Sequence, residues 1–231
     1  GRETPGGFAY PVGIRFTATR DAAPSPALQL VAARTVAETM QTWKLETDGV
    51  GQNVTWEGVP AAAEFVGFSP RGDRVALHWG PNLGVWDSVT GKQAGPGLLV
   101  SGFLNAKTIS FSPDGRLLAA SGGNGEARVW EIATGREPVR LPSLGNFLVI
   151  SLSFSPDGTR IAMSNLAGAA RLFDAVTGQP ASPLLIHSSR VHASFSPDGR
   201  FLETRAGRTL RLWDGHTGRP MGEITETDTI R

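Results

Sequence analysis

Apolar and polar residues alternate in short stretches along most of this chain. Ile109 and Phe111 flank Ser110, Val66 stands two before Phe68, and Leu152 two before Phe154. A period of two belongs to strands with one buried face. Each stretch runs into Ser-Pro-x-Gly, where Pro presets φ, an Asp in the third place bonds the backbone two residues on, and Gly takes φ above zero. A second apolar strand follows, for example Arg116 to Ser121, then a loop holding Gly122, Gly123 and Gly125, and a third strand, Ala127 to Ile132. A looser stretch to about Leu141 supplies a fourth. Val31 to Met40 passes for a short helix in isolation, but its phase with the rest predicts strand.

The pattern recurs at a fixed interval. Phe-Ser-Pro-x-Gly begins at Phe68, Phe111, Phe154 and Phe195, in steps of 43, 43 and 41 residues. Eighteen or nineteen residues later comes an aromatic-acidic pair, Trp86-Asp87, Trp130-Glu131, Phe173-Asp174 and Trp213-Asp214. Four past each aromatic stands Thr-Gly, at Thr90, Thr134, Thr177 and Thr217. A worn fifth copy lies upstream: Trp43 precedes Trp86 by 43 residues, but Lys44 replaces the acid. Its opening aromatic is expected at Phe16, with a swollen turn over Asp21 to Ala27. Four antiparallel strands in about 42 residues describe one propeller blade. The expected fold is therefore all-β, a β-propeller of about five blades, at 12–58, 59–101, 102–146, 147–189 and 190–231. Residues 1–11 are read as an extension or as the outer strand of a preceding blade.

Composition narrows the function without naming it. The chain has 231 residues, 22 Lys+Arg against 21 Asp+Glu, and no cysteine. A net charge of +1 offers no global field for nucleic acid or anionic membrane. Without cysteine there are no disulfides, thiolate metal sites or cysteine nucleophiles. No apolar run reaches the roughly 18 residues that span a bilayer. The first residue is not Met, so the chain is expected to be part of a longer protein, with seven blades the expected ring and these five an arc of it.

These motifs resemble the WD-repeat family, over about residues 12 to 226. The pairing of Phe-Ser-Pro-Asp-Gly with Trp-Asp-x-x-Thr-Gly is similar to bacterial arrays. His187 to Gly199 resembles repeats that follow Ser/Thr protein kinase domains in planctomycete proteins. The resemblance implies a signalling scaffold, possession of a kinase domain elsewhere in the parent chain, and a cytoplasmic location or the soluble part of a membrane-anchored protein. It also implies a polar tetrad in each blade. Here the tetrad is expected to be mostly absent, because no Gly-His opens the blades and Asn124, Ala167 and Gly207 replace the tetrad Asp.

Residues that could carry chemistry have plainer readings. His78, His187, His192 and His216 show no metal-ligand spacing. Gly122-Gly-Asn-Gly125 lacks the helix and the Lys-Ser/Thr of a phosphate loop. Arg71-Gly72-Asp73 fills a hairpin slot, and Asn53-Val-Thr55 matters only in a secreted eukaryotic chain. Arg128, Arg171 and Arg211 recur two residues before the aromatic, where their stems can cover sheet surface. No catalytic residue, cofactor or metal is expected.

Loops between blades, and between second and third strands, vary while the sheets hold them still. Trp79, Asn82, Asn146, Phe147, Arg190, His192, Arg205 and Arg208 lie there, and Trp and Arg often dominate interface energies. They are the expected partner-binding residues. The expected function is a non-catalytic protein-protein interaction scaffold whose partners are proteins or peptides, not nucleic acid. The alternatives are a purely structural segment and, at lower weight, an enzyme using the propeller channel.

Overall fold

A computed structural model describes residues 23–25, 30–34, 40–46, 49–100, 108–123 and 125–225. Its strands form five four-stranded antiparallel sheets, and among the described residues there is no helix. The first blade is β1 (Ala23–Ser25), β2 (Leu30–Arg34), β3 (Met40–Glu46) and β4 (Gly49–Thr55). The second is β5 (Glu64–Phe68), β6 (Arg74–Trp79), β7 (Asn82–Asp87) and β8 (Leu98–Leu99). The third is β9 (Ile109–Phe111), β10 (Leu117–Ser121), β11 (Ala127–Glu131) and β12 (Val139–Leu141). The fourth is β13 (Val149–Phe154), β14 (Arg160–Asn165), β15 (Ala169–Asp174) and β16 (Leu185–Ile186). The fifth is β17 (His192–Phe195), β18 (Phe201–Ala206), β19 (Thr209–Asp214) and β20 (Pro220–Thr225). Each sheet is a simple meander, so the molecule is a β-propeller of five blades.

The aromatic markers make the seams between blades. Met40 and Trp56 pack with Phe65, Val75, Leu77 and Trp86, with Phe68 at the edge. Ala76, Leu83 and Val85 of the second blade pack with Phe111, Leu118 and Trp130 of the third. Ala119, Val129 and Leu141 pack with Phe154, Ile161 and Phe173. Ala162, Leu172 and Leu185 pack with Ala193 and Leu202, bordered by Phe195 and Trp213. One face of a blade thus offers a small alanine slot, and the next blade fills the space with aromatic rings. That complementarity requires the same residues at every step, which is why the markers keep register.

The fifth blade departs from this rule. Glu203 pairs with Ser194 and Leu212 as Ala162 pairs with Ser153 and Leu172. A half-buried carboxylate therefore stands where Ala76, Ala119 and Ala162 stand in the blades before it. Among the described residues no apolar cluster joins the fifth blade to the first.

The first blade corrects one expectation. The strand that begins it is Ala23–Ser25, inside the segment read from sequence as a swollen turn. Pro24 is tolerable there because an end strand of a sheet leaves one edge without a partner. Phe16 and the proposed extension 1–11 lie outside the described residues, and Trp43 lies on β3, paired with Val31 and Asn53.

Candidate interaction surface

The meander sends the first and third turns of each blade to one rim and the second turns, with the blade-to-blade loops, to the other. The first rim is consumed by its own polar contacts. Ser112 Oγ donates to Asp114 at 2.6 Å and accepts from the Leu117 amide at 2.9 Å. Ser155 with Asp157 and Ser196 with Asp198 repeat the arrangement. In the second blade Arg71 occupies the Asp position, and Asp73 takes the Ser69 hydroxyl at 2.8 Å instead. Arg71-Gly72-Asp73 is therefore a working hairpin turn, as its slot predicted.

The aromatic-acidic pairs serve the same rim. Asp174 accepts from the amides of Val176 and Thr177 and from the Thr177 hydroxyl, and Asp214 does so with His216 and Thr217. The Thr177 amide and hydroxyl hold the Asp174 carboxyl below the ordinary carboxylate range, and the Thr217 hydroxyl and amide do the same for Asp214. The Ser112 hydroxyl lowers Asp114 likewise, and Ser196 lowers Asp198. These acids are occupied as acceptors in turns.

The recurrent arginines are tied to their own sheets, and Arg211 also to the sheet before it. Arg128 reaches Glu137 at 3.4 Å, Arg171 donates to the Ser182 carbonyl at 2.9 Å, and Arg211 meets Glu223 at 2.6 Å and the Ile186 carbonyl at 2.7 Å. They strap third strands to outer strands, as basic residues on a structural stripe should. Asn53 is likewise used within its sheet, donating to Gln41 at 2.9 Å.

The fifth blade keeps a remnant of the tetrad. Trp213 Nε1 donates to Thr204 Oγ1 at 2.6 Å, and His187 packs edge-on against Trp213. The bond from Trp to Thr is thus present, while His187 makes a ring contact in place of a hydrogen bond and Gly207 stands at the position of the acid. His187 comes from the end of the fourth blade, near the place where the family carries its Gly-His pair, although no such dipeptide marks it here. Burial, and then the nearby Arg211 charge, lower its pKa from 6.5, so it is a neutral packed ring.

The opposite rim carries the expected partner-binding residues, and they fall into three groups. Trp79 is half-buried, edge-on to Trp86 at 6.2 Å, and Asn82 donates to the Trp79 carbonyl to close the turn. Asn146 and Phe147 share the loop into the fourth blade, both exposed, with Asn146 at φ 58. Arg190 lies in the loop into the fifth blade and His192 opens β17, where it pairs with Arg205 of β18, with Arg208 in the following turn. The structure adds Leu148 and Leu166, exposed at 48% and 46% beside Phe147 at 52%. Among the described residues no group of three His, Cys, Asp or Glu could hold a metal ion.

Comparison with known proteins agrees with this architecture. Residues 104–131 match the model of the WD domain, G-beta repeat. The chain carries a WD40 repeat. That segment spans β9 to β11, from the first strand to the aromatic-acidic pair. Among solved structures, 1461 chains match, so the fold is widespread and does not by itself name a task. One is the computationally designed Ika8 protein in a P63 crystal, at 19% identity and a TM-score of 0.68. The match covers 89% of this chain and 61% of that one. No curated protein matches. No helix among the described residues is long and apolar enough to cross a membrane.

Proposed function

We propose that this WD-repeat propeller is a non-catalytic interaction scaffold that binds another protein or peptide through the rim of Phe147 and Arg190. The single observation behind this reading is exposed apolar surface where the fold does not need it. Leu144 in the same loop is buried, yet Phe147 and Leu148 stand out of the core. Exposed large apolar groups that gather on one rim are a mark of recognition surfaces. The recurrent arginines are engaged within the sheets, which supports a protein partner over nucleic acid.

The resemblance of the repeats to bacterial kinase-linked arrays supports placing the chain in a larger cytoplasmic signalling protein, as five blades of a seven-bladed ring. The blade divisions at 12–58, 59–101, 102–146, 147–189 and 190–231 belong to the same proposal. A purely structural segment is the second reading. It is favoured by Trp79 and Asn82, whose contacts serve their own blade.

Affinity capture with the purified chain tests the scaffold reading, followed by reconstitution with each purified captured protein. A partner that binds directly, and is lost when Phe147→Ala and Arg190→Glu are combined, is the expected result. Direct binding that ignores both changes leaves only the structural reading for this rim.

A further inference from the structure

Three loops on this rim are joined through one residue, by its side chain and its backbone carbonyl. Asn165, fully buried, donates from Nδ2 to the Leu144 carbonyl at 2.7 Å. Its Oδ1 accepts from the amides of Ala167 and Ala169 at 3.0 and 2.9 Å. Its carbonyl accepts from the Val191 amide at 3.3 Å, and the Leu166 amide donates to the Leu148 carbonyl at 3.0 Å. The loop into the fourth blade, the β14–β15 turn and the loop into the fifth blade are thus joined. A methyl group on Gly168 would run into the His187 carbonyl, and one on Gly125 would lie 2.7 Å from the Phe147 carbonyl. Both glycines have positive φ and stand against neighbouring backbone, so the loops fit closely at these two points.

The side chains carried by this locked frame are not uniform. Phe147, Leu148 and Leu166 form its apolar end. Arg190 stands one residue before the Val191 amide that bonds Asn165, and it is exposed. Arg205 and Arg208 continue the basic end on the fifth blade, with His192 paired to Arg205 and Glu203 two residues along β18. An apolar end on a backbone already held in place binds with a smaller ordering cost. Positive charge at the other end selects carboxylates and rejects like-charged sequences.

Resting on the scaffold reading above, we propose that this strip docks an extended peptide segment of another protein, with a bulky apolar side chain against Phe147, Leu148 and Leu166 and acidic residues toward Arg190. Apolar contact supplies the anchor, and the arginine end sets the direction in which the peptide runs.

Random twelve-residue peptide libraries selected in parallel on the full chain and on the Phe147→Ala/Arg190→Glu variant test this. Peptides enriched on the unaltered chain alone should carry Phe, Leu, Ile or Trp followed by Asp or Glu. A synthetic peptide of that kind should bind each single variant about tenfold more weakly, and more weakly as salt rises. Exchanging its acids for Lys should restore binding to Arg190→Glu. Both side chains are exposed, and an unchanged melting temperature confirms that each variant folds. Enrichment identical on both chains overturns the site while leaving the scaffold reading in place. Enriched peptides without acids, or no enrichment, also overturn it. The scaffold reading falls only if whole-protein capture fails as well.

Discussion

His187 meets Trp213 edge to face, with ring centroids 6.2 Å apart and planes at 73°, while its Nε2 is buried without a hydrogen-bond partner. The ring closes the seam between the fourth and fifth blades, beside the Trp213 to Thr204 hydrogen bond. An unpaired buried nitrogen costs about 1–3 kcal/mol, and burial lowers its pKa.

Stability should therefore depend on pH through this ring. Its folded pKa is depressed, so the unfolded chain takes up the proton first as pH falls. The contribution is fully present above the unfolded value of 6.5 and declines as pH falls toward the folded value. Urea midpoints measured from pH 8 to about pH 5 should fall below pH 6.5. Phe in place of His187 should flatten that slope and be neutral or stabilising at pH 8. An equally steep slope in His187→Phe would remove the assignment. The lowered Asp carboxyls act in a separate window, below 3.8.

The Thr-Gly glycines are required by space as well as by conformation. Gly178 has φ 71, and a methyl group there would lie 2.7 Å from the Arg140 carbonyl of the preceding blade. Gly178→Ala should cost about 1–3 kcal/mol. Gly222→Ala, in a strand with open space around it, should instead be neutral or gain up to about 1 kcal/mol. Denaturant unfolding of the two variants side by side checks the contrast.

Ser155→Ala should destabilise by about 1–2 kcal/mol. It leaves the part-buried Arg160 amide without its 2.9 Å acceptor and removes the 2.6 Å donor to Asp157. Ser155→Thr should retain most of the stability, since the hydroxyl is kept. Thermal unfolding of the three chains distinguishes them.

Restoring the family aromatic should not help the fourth blade. Phe173 is fully buried between Ile161 and the third-blade residues Val129 and Leu141. Phe173→Trp overfills that seam and should lose about 1–3 kcal/mol. A higher melting temperature would show that the third blade can shift to admit the larger ring.

Much of the fold was legible because a propeller repeats one solution. Phe111, Trp130 and Gly135 hold their places by contacts that recur in every copy, so spacing exposed them. The first blade was less legible, since Lys44 had broken the marker and Pro24 disguised a strand as a turn. At the proposed binding rim, Phe147 and Arg190 were visible as large groups in loops. Trp79 was visible for the same reason, but its edge contact with Trp86 half-buries it. Leu148 and Leu166 were hidden because they lie 18 residues apart in sequence and meet through one backbone hydrogen bond.

By itself, the sequence determined the number of blades, the strand order within each and the turn chemistry, because these depend on residues close along the chain. Only the tertiary structure decided which blade faces meet, how Asn165 joins three loops, and that Leu148 and Leu166 come together on one rim. Those outcomes depend on contacts between blades, and local alternation records which residues turn inward without recording what they meet.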